Sequence, residues 1–151
     1  MVRGHHRTNL ALAGWVAVIL AAGLWPLHNF VGHAHWEIIQ WTIPANQWSA
    51  RRFYFDVVVN VILFIPLGLL LTRLSNPSTA QSRRRTLGTG LILSVGIEGF
   101  QIFCHNRHPS LYDILTNVTG TWIGIRASAL FFSFRIVADW LPAPHSHPTG
   151  S

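Results

Sequence analysis

Asp56 with Asn60, Glu98 with Gln101, and Asp113 with Asn117 are acid–amide pairs set three or four residues apart inside apolar stretches of a 151-residue chain. That spacing puts both members of a pair on one helix face. Ionisable groups are costly in hydrocarbon and normally face a bundle interior or a water-filled cavity. There a carboxylate can move a proton, and an amide can orient a ligand or tie two helices together. Three helices carrying such pairs at similar depth predict one polar pocket.

Helical geometry sharpens that expectation. At 100° per residue, Asp113, Asn117, Gly120 and Gly124 fall within about 60° of one another, and so do Ser94, Glu98, Gln101 and His105. A short connection, Asn106-Arg107-His108-Pro109-Ser110, joins these two faces and sets Arg107 above the pocket. A guanidinium there suits bidentate binding of phosphate or carboxylate, or else neutralises the acids below it. Ser110 is a plausible helix N-cap with Asp113 at its N3 position, so Asp113 is read both as a capping carboxylate and as a chemical group. Glu98 is open to an internal ion pair with Arg107 or to work as a general acid or base. Asp56 has Arg52 as a candidate ion-pair partner, and the amides serve equally well as interhelical ties. His105 and His108 flank Arg107, and His33, His35 and Glu37 lie together earlier in the chain. Neither group has a specific metal-ligand spacing, so no metal and no cofactor are expected. The single Cys104 excludes an intrachain disulfide and a Cys-based zinc site.

The elements that must position these residues are apolar stretches at about residues 10–30, 53–74, 86–105 and 111–134. Each approaches or exceeds the roughly 20 residues a spanning helix needs. Only 11% of residues are charged while 50% are hydrophobic. Soluble domains carry about 25% charged residues, so the deficit points to a bilayer as the main solvent. The expected fold is all-α, a four-helix integral membrane bundle. The net charge of +6 comes from Arg alone, and the Arg residues cluster at segment ends, a topology pattern and not a nucleic-acid one. With Arg3, Arg7, Arg73, the Arg83–Arg85 run, Arg126 and Arg135 inside and Arg51, Arg52 and Arg107 outside, both termini are cytoplasmic. The three acids then share the outer half of the membrane, Glu98 lying about 10 Å below His105. Residues 1–9 form a cytoplasmic start, and the first apolar run is read as a retained helix, since no clean cleavage site follows it. The segment from Val31 to Arg52, rich in Trp, suits the headgroup region. Pro66 should kink the second helix, Gly120 and Gly124 allow a close helix approach, and the tail after residue 134 is expected to be mostly disordered.

With these residues placed, the chain resembles the VanZ-like family of small bacterial membrane proteins, named for a protein linked to teicoplanin resistance. The resemblance runs through Asp56, Asn60, Phe64-Ile65-Pro66-Leu67-Gly68, Glu98-x-x-Gln101, Arg107, Ser110, Asp113, Asn117, Gly120 and Gly124. It covers roughly Phe53 to Gly124. It implies a protein of the cell envelope, in the inner or plasma membrane, with a link to glycopeptide susceptibility and no settled reaction.

The functional expectation is binding or processing of an anionic envelope lipid or glycan-lipid. Arg107, with Arg51 and Arg52, would hold the headgroup. Glu98 and Asp113 would do acid–base work, and Asp56, Asn60, Gln101, Ser110 and Asn117 would complete the binding set. Two other readings compete: a proton- or ion-coupled transporter or channel subunit, which would need a homo-oligomer, and a non-catalytic membrane scaffold. The expected partners are the bilayer and its lipids, with no nucleic acid.

Overall fold

Four helices make up the fold, and each boundary has a local cause. The computed structural model describes residues 2–42, 51–75 and 79–140. Helix α1 spans Val2–Leu24, α2 Arg51–Leu74, α3 Ala80–Gln101 and α4 Leu111–Trp140, with no strand among the described residues. The all-α expectation therefore holds, although the helix ends shift. The first helix stops at Leu24 and not near Phe30, because Pro26 lacks an N–H and disfavours the helical region for the residue before it. It also begins well ahead of residue 10, so residues placed in a cytoplasmic start belong to the helix. The third helix begins earlier than expected because Thr79 caps it, its hydroxyl accepting the Ser82 N–H at 3.1 Å. It ends at Gln101, and residues 102–110 carry the chain across to α4. In that crossing Asn106 takes a left-handed conformation (φ 59°), which Asn tolerates better than most residues.

Helix α2 stays helical through Pro66 and forms the spine against which the others pack. Among the described residues its contact with α4 is the closest between helices. A Cβ at Gly68 would overlap the Thr121 carbonyl, one at Gly120 the Val61 carbonyl, and one at Gly124 the Ile65 carbonyl. The Gly120-x-x-x-Gly124 spacing thus lets two backbones touch, with Gly68 answering from the facing helix. Helix α1 lies over α2 and α3 through an apolar cluster of Ile19, Phe64, Leu67 and Ile97, and the Trp15 indole N–H donates to the Leu63 carbonyl at 2.8 Å.

The distribution of polarity is inverted relative to a water-soluble bundle. Buried side chains include Thr72, Ser82, Thr86, Ser94, Glu98, Gln101, Ser110, Asn117, Thr121 and Ser128, more polar than apolar. Phe55, Val58 and Ile62 on α2, Ile92 on α3, and Leu115, Trp122 and Leu130 on α4 are exposed. Several of the buried hydroxyls bond back to their own helix, as Thr72 does to the Gly68 carbonyl at 2.7 Å and Thr121 to the Asn117 carbonyl at 3.0 Å.

The segment between α1 and α2 docks on the α3–α4 connection through its backbone. Val31 N–H donates to the Phe103 carbonyl and His35 N–H to the Ile102 carbonyl, each at 2.9 Å, while His105 N–H donates to the Asn29 carbonyl at 2.8 Å. Further on, Gln40 N–H reaches the Pro109 carbonyl at 2.8 Å. Two short 3-10 turns, Leu27–Asn29 and Trp36–Ile38, shape this segment, and Trp25, Trp36 and Trp41 project outward from it. Helix α4 runs past residue 134 to Trp140, so the first six residues of the expected tail are helical, while Trp48, the side chain of Arg52 and residues 141–151 lie outside the described residues.

Candidate functional site

Each acid–amide pair arrives at one end of the bundle because the helices that carry them start or finish there. Asp56 and Asn60 sit in the first turns of α2, Glu98 and Gln101 in the last turn of α3, and Asp113 and Asn117 in the first turns of α4. All six line one cavity of about 290 Å³, together with Arg107 and His108 from the connection. Ile19, Ala22 and Gly23 of α1 and Val59, Leu63, Phe64 and Ile97 complete its wall. The convergence read from the sequence is therefore present in the fold.

The bonding within the cavity runs between helices, not along them. Asn60 Nδ2 donates to Asp113 Oδ1 at 2.7 Å, joining α2 to α4. Asn117 Nδ2 donates to Ser94 Oγ at 2.9 Å, joining α4 to α3. Gln101 Nε2 donates to the Gly23 carbonyl at 2.9 Å, joining α3 to the end of α1. Each amide thus shares a face with an acid in its own helix but spends a donor elsewhere, the tying role considered for it above. Asn117 Oδ1 is buried and has no hydrogen-bond partner, so an acceptor stands open on the least exposed of the polar lining residues.

Glu98 takes the capping role that local spacing gives to Asp113. Ser110 caps α4, its Oγ accepting the Tyr112 N–H at 3.1 Å. In a capping box the N-cap N–H bonds the N3 side chain; here Glu98 Oε2, from α3, accepts the Ser110 N–H at 2.8 Å. Asp113, at N3, is released to meet Asn60. The reading of Asp113 as a capping carboxylate is corrected accordingly. The internal ion pair of Glu98 with Arg107 is corrected as well. The guanidinium donates through Nη2 to the Trp25 carbonyl, just past the end of α1. Among the described residues no arginine pairs with a carboxylate, and the one close contact of this kind is His35 Nδ1 with Glu37 Oε1 at 3.3 Å. Asp56 is exposed, and its proposed partner Arg52 has a side chain outside the described residues.

Chemically, this is a mixed-charge cleft with donors and acceptors to spare. Glu98 and Asp113 each commit one oxygen to a protein donor, and Arg107 commits one of its five N–H groups. A ligand that offers hydroxyl donors to the carboxylates and an anionic group to the guanidinium would match both. Outside the cavity, Glu37 is held below its ordinary pKa by a backbone hydrogen bond and by the neighbouring His35.

The contribution of α1 was not foreseen. It brings no ionisable side chain to the cavity, only the carbonyl of Gly23 and an apolar wall, with the Trp25 carbonyl just past its end holding Arg107, and carbonyls leave no trace in residue types. No curated protein and no solved structure matches the chain. The VanZ/LLP1 family model does, over residues 8–134, a stretch that contains every lining residue of the cavity and runs through all four helices. With the family's span coinciding with the site-bearing bundle, the chain belongs to the VanZ/LLP1 family.

Proposed function

We propose that this protein is a multi-pass protein of the bacterial inner or plasma membrane whose polar cavity binds, or processes, the headgroup of an anionic envelope lipid or glycan-lipid. Four passes with both termini cytoplasmic would put the cavity at the outer leaflet. Two helices, over His6–Leu24 and Phe53–Leu74, are long and apolar enough to cross a membrane. Helices α3 and α4, at 22 and 30 residues, have the necessary length. Their polar side chains turn inward, as Ser94, Glu98, Asn117 and Thr121 do, while Ile92, Leu115 and Trp122 turn outward. That arrangement suits lipid contact and is costly in water.

The observation that carries the ligand reading is the single cavity lined by Arg107, three carboxylates and three amides. Its volume is at the lower edge of small-molecule sites, which run from about 300 Å³, so it fits a headgroup and not a whole lipid. Three acids beside one guanidinium disfavour a bare phosphate. They favour a headgroup in which sugar hydroxyls donate to Glu98, Asp113 and the open Asn117 oxygen, while a phosphate meets Arg107. An effect on glycopeptide susceptibility would follow if that lipid feeds cell-wall synthesis.

A scaffold reading has its own support, since Glu98, Asn60, Gln101, Asn117 and Arg107 all bond across elements. Native mass spectrometry of the detergent-purified protein separates the two. A co-bound anionic lipid is expected, lost in Arg107→Ala by roughly ten- to hundredfold in occupancy, the value of hydrogen bonds to a charged group. Trp15→Phe, which breaks a structural tie to the Leu63 carbonyl but removes no side chain that lines the cavity, should keep the lipid. A protein that carries none, or an Arg107→Ala variant that keeps it in full, leaves the scaffold reading standing.

A further inference from the structure

His33, His35 and His105 form a cluster that the polar cavity does not use. They come from separate parts of the chain, two from the segment between α1 and α2 and one from the α3–α4 connection. One ligand atom from each lies within 4.8 Å of the other two. Ring centroids are 4.6 Å apart for His33 and His35, 5.0 Å for His35 and His105, and 6.0 Å for His33 and His105. The backbone sets this arrangement. His35 N–H bonds the Ile102 carbonyl at 2.9 Å and His105 N–H bonds the Asn29 carbonyl at 2.8 Å, so His35 and His105 are held by their own backbone, and Val31, two residues before His33, bonds the Phe103 carbonyl at 2.9 Å.

The two nitrogens of His35 stand in different surroundings. Nδ1 meets Glu37 Oε1 at 3.3 Å, whereas Nε2 is buried and has no hydrogen-bond partner. With its proton on Nδ1, toward the carboxylate, a neutral His35 ring keeps its lone pair on Nε2. Metal-ligating histidines typically show this outer-shell pattern. In that tautomer the orphaned atom is the one with a lone pair to give.

We propose that His33, His35 and His105 bind a divalent transition metal ion of the zinc class, with Glu37 orienting His35. Three imidazoles leave one tetrahedral position for water or a ligand oxygen, an open set of the kind catalytic zinc sites use. Zinc–nitrogen bonds of about 2.0–2.1 Å place ligand nitrogens roughly 3.4 Å apart, so small ring rotations close the cluster on the ion. The ion would clip the outer segment to the connection that carries Arg107, two residues beyond His105. This inference is independent of the lipid reading.

The test uses the full chain in detergent with Zn2+ and Co2+ alone as probes. One equivalent of Zn2+ is expected to bind, and Co2+ should give the intense visible absorption of a tetrahedral or five-coordinate nitrogen site. His33→Ala, His35→Ala and His105→Ala, made singly, should each weaken Zn2+ binding at least tenfold, and Glu37→Gln about tenfold. Replacing His5, His6, His145 and His147 together with Ala removes the other close His pairs and should leave the equivalent in place. Absence of a stoichiometric site in the unmodified protein overturns the proposal, with no need for a variant to fold. A site that survives all three single substitutions, or vanishes with the terminal histidines, overturns it equally.

Discussion

Glu98 is 6% exposed, and its Oε2 takes the N–H of the residue that caps α4. The side chain therefore matters first as an acceptor, and its charge is a separate property. Glu98→Gln retains an oxygen in the same place, whereas Glu98→Ala strands the buried Ser110 N–H. The expected cost is about 1–3 kcal/mol for the alanine and under about 1 kcal/mol for the glutamine, read as thermal unfolding in detergent. Equal losses would show that the Ser110 bond contributes little. If glutamine folds normally, any loss of lipid processing in that variant belongs to the proton and not to the packing. Asn117 has one satisfied donor and one unsatisfied acceptor, which makes it the residue whose environment changes most when a hydroxyl donor enters.

The α2–α4 contact decides whether the cavity exists, because it fixes Asn60 against Asp113 at one end of the pair. Gly124 faces the Ile65 carbonyl and Gly68 the Thr121 carbonyl, both across backbone that cannot rotate away. Gly124→Ala should force the helices apart and destabilise by about 1–3 kcal/mol, as overpacking does. Gly88 and Gly96 on α3 have nothing within 4 Å of an added Cβ. Alanine at either should leave stability unchanged or raise it by up to about 1 kcal/mol through helix propensity. Chemical denaturation in mixed micelles checks both, and a neutral Gly124→Ala would mean that α2 and α4 have slack. The pairing was half legible in the sequence. Gly120-x-x-x-Gly124 announces a close approach, but the partner is named only when Val61, Ile65 and Gly68 are seen to face it.

For the molecule as a whole, the proposed membrane orientation is one that labelling can read. With Cys104 replaced by Ala, His28→Cys should react with an impermeant maleimide in intact spheroplasts, and Gln81→Cys only after permeabilisation. Both positions are exposed in the fold. The opposite pattern inverts the topology, and equal labelling removes the spanning reading. The native Cys104 is 2% exposed and should label slowly from either side until the protein is unfolded.

Residue types and spacing by themselves determined that three helices carry polar faces, that those faces meet near the Arg107 connection, and that the surroundings are apolar. Helical periodicity fixes which residues share a face, and sparse charge restricts where such faces can go. Which donor meets which acceptor was settled by the tertiary structure alone. Asn60 reaches Asp113, and Glu98 takes over the cap, because axial offset and rotation between helices place them so, quantities no spacing within one helix contains. The same holds for the carbonyls of Gly23 and Trp25, whose role is independent of side-chain identity. It holds too for His105, about seventy residues from His33 and His35 in sequence and brought beside them by contacts between two connections, backbone hydrogen bonds among them.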